Sequence, residues 1–184
     1  MSTNAPLSAA SRWLHWLIAG AMIALLVVGL AMKQLEIWPL YPWHKAFGVL
    51  VLLLAVPRAL LRLREGWPTA LGTPPAWQHR AALLTHASLL ACTLLMPLSG
   101  ALHSGASGHG ISVFGLELVA MNPDPAKPGE VLPFNAGLAE FGEEAHELLG
   151  YAVVALLLLH VAGALKHHLI DRDATLTRML GRRS

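Results

Sequence analysis

Four apolar segments, at 13–32, 47–63, 81–102 and 148–165, constrain this chain more than any other feature. Each approaches the ~20 residues a helix needs to cross ~30 Å of hydrocarbon. With 55% hydrophobic and only 13% charged residues, there is too little polar surface to clothe a water-soluble domain of this size. Counted with their flanking turns, spans are expected at about 13–32, 44–64, 81–102 and 144–168, joined outside by a loop over 103–142. These elements use nearly all of the 184 residues, so one unit over 1–184 is expected. The expected fold class is all-α, an integral membrane four-helix bundle with both termini cytoplasmic.

The first segment has the length of a secretory signal, yet Lys33, Gln34, Leu35 and Glu36 follow it in place of a small-residue cleavage site, and it reads as a retained helix. Orientation follows from the basic residues. With the N-terminus inside, that side carries Arg12, Arg58, Arg62, Arg64, Arg80, Lys166, Arg172, Arg178, Arg182 and Arg183, against Lys33, Lys45 and Lys127 outside. The net charge of +2 therefore reflects membrane orientation and does not mark a nucleic-acid surface.

The loop over 103–142 is rich in Gly and Pro, and its length marks it as functional or as a cover. Within it, 111–120 is apolar enough to lie along the membrane interface as a short amphipathic piece, and 104–110 reads as flexible. The basic stretch 166–184 is expected to continue the last helix into the cytoplasmic headgroup layer. Trp13, Trp16, Trp38, Trp43 and Trp67 fall near the span boundaries, as interfacial tryptophans do.

Among ten histidines, His15, His44, His146 and His160 lie within or at the mouths of spans one, two and four. Ionisable side chains at membrane depth are costly and mark sites, and imidazole is a common metal ligand and a haem axial ligand. Antiparallel threading puts His15 and His160 toward the inside, and His44 and His146 toward the outside. Each pair is placed to ligate one iron from opposite sides. His146 and His160 are 14 residues apart, a rise of roughly 21 Å with an angular offset of about 40°. Both therefore point to nearly the same face, and two irons stacked across the bilayer follow. The lone Cys92 and the lack of a C-x-x-C-H sequence mean that any haem is held by coordination and packing, without a covalent link.

His44-Lys-Ala-Phe-Gly48 and His146-Glu-Leu-Leu-Gly150 share His-x-x-x-Gly, with a glycine one turn below each ligand that leaves room for a flat macrocycle. Arg58 and Arg62, four apart on span two, are candidates to neutralise haem propionates or contact a quinone carbonyl; positive-inside anchoring is the alternative. His79, His103 and His109 are expected to be solvated.

Taken together, the chain resembles the bacterial cytochrome b561 family of four-helix, di-haem, quinone-linked inner-membrane cytochromes. The resemblance runs through Arg12-Trp-Leu-His15-Trp, Trp43-His44-Lys-Ala-Phe-Gly48, Val56-Pro-Arg58-Ala-Leu-Leu-Arg62-Leu, His86 with Pro97-Leu-Ser-Gly100, Phe114-Gly-Leu, His146-Glu-Leu-Leu-Gly150-Tyr, Leu159-His160 and Lys166-His-His168 with Asp173-Ala-Thr-Leu-Thr-Arg-Met179. It implies two haem b groups ligated at His15, His44, His146 and His160, and ubiquinone as electron acceptor or donor. It also suggests contacts of His86 with the inner haem or quinone, an interhelical hydrogen bond being the alternative. His167 and His168, where span four meets the headgroups, are candidate propionate or quinone contacts, with interface anchoring as the alternative. Because the family includes members that oxidise superoxide and reduce ubiquinone, superoxide:ubiquinone oxidoreductase is a candidate activity.

The loop over 103–142 sets Lys127 against Glu117, Asp124, Glu130 and Glu140, a net charge of minus three. Such a surface disfavours fast capture of an anion unless Lys33 and Lys45 dominate locally. The alternative function is a non-catalytic cytochrome subunit relaying electrons between quinol and a periplasmic electron-transfer protein docked on that loop. A divalent-metal transporter fits poorly, since the spans lack paired carboxylates. Membrane lipid is the remaining expected partner, and nucleic acid is not one.

Overall fold

The computed structural model describes residues 7–67, 71 and 74–181. Arg182 and Arg183, counted above on the inner side, lie outside the described residues. Four long helices dominate: α1 (Ala9–Leu35), α2 (Tyr41–Glu65), α3 (Ala76–Ala106) and α4 (Ala136–Lys166). Among the described residues, four helical stretches are long and apolar enough to cross a membrane. Their apolar side chains point mostly outward; only 6% of the most apolar stretch of α4 is buried within the protein. That inversion of the water-soluble pattern is what lipid as solvent demands.

α1, α2 and α3 outrun the expected spans at both ends, and α4 begins earlier than expected but ends at Lys166. Ser8 caps α1 by accepting from the Ser11 amide at 3.1 Å, and Asn135 caps α4 by accepting from Leu138 at 3.0 Å. Such caps satisfy orphan amides beyond the apolar run, where hydropathy carries no signal. The outer connection is accordingly 107–135 and not 103–142.

The helices form a bundle in which α4 is spaced more widely from α1 and α2 than from α3. Backbone contact is extensive between α1 and α2, α2 and α3, and above all α3 and α4, whereas α4 comes near α1 and α2 at few points. Gly142 explains the closeness of the third pair: a Cβ there would lie 2.6 Å from the His103 amide nitrogen and 2.9 Å from its Cα. His103 is not solvated as expected, because its Nδ1 lies 3.0 Å from the Ala139 carbonyl and ties the outer ends of α3 and α4 together. A small core of Ile18, Met22, Val51, Cys92 and Val153 lies midway along the bundle.

The loop is more ordered than its composition suggests. The amphipathic piece expected over 111–120 is a hairpin, β1 (Ile111–Val113) and β2 (Leu116–Val119), because Ile-Ser-Val and Leu-Glu-Leu alternate with the period of a strand. The stretch 104–110, expected to be flexible, is fastened: Ser104 is buried, and its hydroxyl donates to the Gly110 carbonyl at 2.8 Å. Lys45 adds bonds to the carbonyls of His109 and Gly110 at 3.2 and 2.9 Å.

The C-terminal stretch does not run straight on from α4. A π-helical turn (His167–Asp171) ends at Arg172 in the left-handed region, and a short α5 (Thr175–Met179) folds back toward α1. There the Trp16 indole donates to the Met179 carbonyl at 3.0 Å. His167 Nδ1 bonds Asp173 at 2.6 Å and lies 3.4 Å from Asp171, while Asp173 caps Thr175 at 2.8 Å. Burial of Asp173 works against its charge, yet the bonds from Thr175 and His167 hold its carboxyl below the usual carboxylate range.

Candidate functional site

The four span histidines meet in the two pairs that their depths require. On the outer side, His44 of α2 faces His146 of α4 with ring centroids 6.1 Å apart and planes at 84°. On the inner side, His15 of α1 faces His160 of α4 at 6.2 Å and 70°. Both pairs thus bridge helices with little backbone contact, and no hydrogen bond joins the rings of either pair among the described residues. Two metal–nitrogen bonds of roughly 2 Å each, together with the two ring radii, set centroids about 6 Å apart across one bound metal. The spacing therefore fits an iron between each pair.

Further observations make the outer pair a fit for a flat apolar macrocycle. A small apolar cleft opens between His44 and His146, walled by Met22, Leu26, Gly48 and Val51. No protein atom outside the local helix lies within 4 Å of where a Gly48 Cβ would stand, so the glycine leaves space beside its ligand. Gly150, the matching position on α4, is instead in contact with Met96, which would lie 3.4 Å from an added Cβ.

The surroundings of each ring set its presentation. His146 Nδ1 donates to the Met96 carbonyl at 2.9 Å, with the Ser99 hydroxyl 3.2 Å away, and this leaves Nε2 as the lone-pair nitrogen. Gly100 makes room for that ring, since a Cβ there would stand 3.0 Å from His146 Cε1. The roles of Met96, Ser99 and Gly100 were not read from the sequence. Their signal, Pro97-Leu-Ser-Gly100, is visible in the chain but carries no chemistry by itself. His44 rests on Gly29 of α1 in the same way, at 3.4 Å, and its buried Nδ1 has no hydrogen-bond partner among the described residues. A buried imidazole nitrogen in that state is costly in apolar surroundings unless another bond fixes the ring.

The inner pair has a cationic side. Arg58 Nη2 lies 3.1 Å from His15 Nδ1, and Nη1 donates to the Ser11 carbonyl at 3.3 Å. His86 of α3 is brought to the same place, 5.2 Å from His160 ring to ring. Trp67 stacks on His86 at 6.4 Å and 12°, with the Arg62 guanidinium 5.6 Å from the Trp67 centroid. Arg62 also donates to the Gly66 carbonyl at 2.9 Å. The structure thus gathers Arg58, Arg62 and His86 around His15 and His160. His167 and His168 sit two turns beyond His160, and His167 is committed to Asp171 and Asp173.

At the outer face, Lys33 forms an ion pair with Glu147, next to His146 in sequence. Lys45 lies 4.5 Å from the Tyr41 ring centroid and is bonded to the two loop carbonyls. Burial and the nearby Lys45 keep the His109 imidazole below its usual range, so it adds no cation at neutral pH.

Comparison with known proteins points the same way. The family described as prokaryotic cytochrome b561 matches residues 7–182. "Cytochrome b561 homolog 2" of Escherichia coli (strain K12) is 34% identical over 189 residues, covering 99% of this chain and 96% of the relative. "Cytochrome b561 homolog 1" of the same organism is 29% identical over 185 residues, covering 93% and 94%. A protein of Yersinia pestis named "Probable superoxide oxidase CybB" is 26% identical over 176 residues, covering 91% of each chain.

Proposed function

This chain belongs to the prokaryotic cytochrome b561 family, and we propose that it carries electrons across the bacterial inner membrane through two b haems, from superoxide at the outer face to ubiquinone. Membrane electron transfer with haem b is the family's business. The number of haems, the donor and the quinone are this proposal. The observation that carries it is the pairing of four histidines at two depths with matching ring separations of 6.1 and 6.2 Å.

Bound haem supplies reversible one-electron exchange at iron. The chain's own residues do the rest. His44 and His146 hold the outer position, with Met96 fixing which nitrogen His146 presents. His15 and His160 hold the inner one. Arg58 sets a permanent positive charge beside the inner pair, which favours an added electron there over the outer position and so favours inward flow. Arg62, Trp67 and His86 form a stacked polar wall on that side, suited to a planar quinone headgroup. The stoichiometry balances: two superoxide anions each lose one electron to leave dioxygen, and those electrons with two protons convert one ubiquinone to ubiquinol. The name of the Yersinia relative supports this donor.

One observation favours a second reading. Lys33 is paired with Glu147 and Lys127 with Glu130, so of these outer cations Lys45 alone keeps its charge without a carboxylate partner to steer an anion over the acidic loop. In that reading the chain relays electrons between quinol and a periplasmic redox protein docked on the loop. Rapid mixing separates the two. Superoxide supplied to the oxidised protein should produce the reduced b spectrum at once, and ubiquinol when ubiquinone is added. A spectrum that stays oxidised would sink the superoxide reading, and a co-purifying periplasmic protein would then support the relay.

A further inference from the structure

We propose that the outer hairpin is a lipid-inserted element: it lies in the headgroup layer of the outer leaflet, with Phe114 and Leu116 reaching the acyl chains of phospholipid. The turn itself is the first observation. Val113 pairs with Leu116, so Phe114 and Gly115 are the two central residues, with φ of 50° and 90°. Such a two-residue turn favours Asn, Asp or Gly at its first position, because a bulky side chain is disfavoured at positive φ. An aromatic ring kept at a strained tip asks for a reason outside the backbone.

Its surroundings supply one. The Phe114 ring centroid is 5.5 Å from Phe47 and 6.1 Å from Trp43, yet Phe114 remains 57% exposed. Phe47 opens the apolar run of α2, six residues or about 9 Å below Tyr41. Phe114 is thereby held at the depth where hydrocarbon begins. Lys45, bonded to the carbonyls of His109 and Gly110, ties the base of the hairpin to α2 and keeps that depth.

Strand exposure is the second, independent observation. β1 packs on α2, but all four residues of β2 are exposed, including Leu116 at 65% and Leu118. A hairpin standing in water turns its polar face outward. Here Glu117 pairs with Ser112 as the polar face, but the other three exposed residues of β2, Leu116, Leu118 and Val119, are apolar and continue the exposed Trp38 and Trp43 at the outer boundary, an aromatic belt of the kind found at membrane interfaces. The unpaired strand edges keep the backbone itself among the headgroups, so only side chains dip further.

Cys92 is the chain's only cysteine, which makes a site-directed test direct. Phe114→Cys and, separately, Leu116→Cys would be made in a Cys92→Ala background that still takes up haem. Each is nitroxide-labelled and reconstituted into phosphatidylethanolamine/phosphatidylglycerol liposomes. Ala126→Cys, in the exposed turn nearby, is the aqueous reference. Power saturation should give both hairpin sites an oxygen-to-nickel-chelate collision ratio several-fold above that of Ala126. Equal ratios at all three sites would overturn the proposal and leave the hairpin in water. Labels immobile and closed to both reagents would also overturn it, in favour of a protein covering the hairpin. The readout is independent of electron transfer, so it stands or falls apart from the function proposed above.

Discussion

Arg58 of α2 points its guanidinium at His15 of α1, with Nη2 3.1 Å from Nδ1, which sets a fixed cation against one member of the inner pair, while among the described residues no cationic side chain is hydrogen-bonded to either ring of the outer pair. A unit charge ~8 Å from an added electron is worth roughly 2 kcal/mol at an effective dielectric of about 20. With ~59 mV per tenfold for a one-electron couple, Arg58→Gln should lower the inner midpoint potential by on the order of 50–100 mV. Redox titration followed by optical spectra checks this. The outer potential should move much less.

Each histidine pair should be separable from the other. His146→Ala should reduce pyridine-haemochrome haem from about two per chain to about one, and His15→Ala should do the same while removing the other spectral component. Loss of the same component in both variants would break the pairing proposed here.

Gly142 is where α3 and α4 touch, and it lies one turn before His146 on α4. A methyl there would collide with the His103 backbone, which no rotamer change relieves. Gly142→Ala should destabilise the protein by about 1–3 kcal/mol and loosen the outer haem before the inner one. Thermal melts monitored at the haem absorption would show an outer component released at lower temperature.

The docked α5 should depend on Asp173. Its folded carboxyl titrates below the ordinary value, so it contributes stability above about pH 4, and that contribution is lost as pH falls through the folded value. Hydrogen exchange over 174–181, corrected for intrinsic rates, should show protection falling below about pH 4 in the parent protein. In Asp173→Asn that protection should already be low at neutral pH and flat with acid. A parent profile that does not change with acid would count against the role of this carboxyl.

Much of the site was legible because membrane depth orders residues along one axis. Once four spans are threaded antiparallel, His15 must lie near the depth of His160, and His44 near that of His146. Hydropathy measures apolar length, however, not helix length, so it located the middles of the helices and missed ends made by caps such as Ser8 and Asn135. It could not give the shape of the amphipathic piece over 111–120, where local alternation and the Phe114-Gly115 turn make a hairpin.

By itself the sequence determined four membrane spans, their direction from the arginines, and the two levels at which histidines meet, because these depend on composition and on distance along a helix. Only the tertiary structure decided which nitrogen His146 presents, that Gly100 and Gly142 are contact points, and that Arg58 belongs to His15. It also decided that the chain turns back at Arg172. These are relations across helices, set by how the helices rotate about their axes and how closely they approach, and one-dimensional order along the chain contains neither quantity.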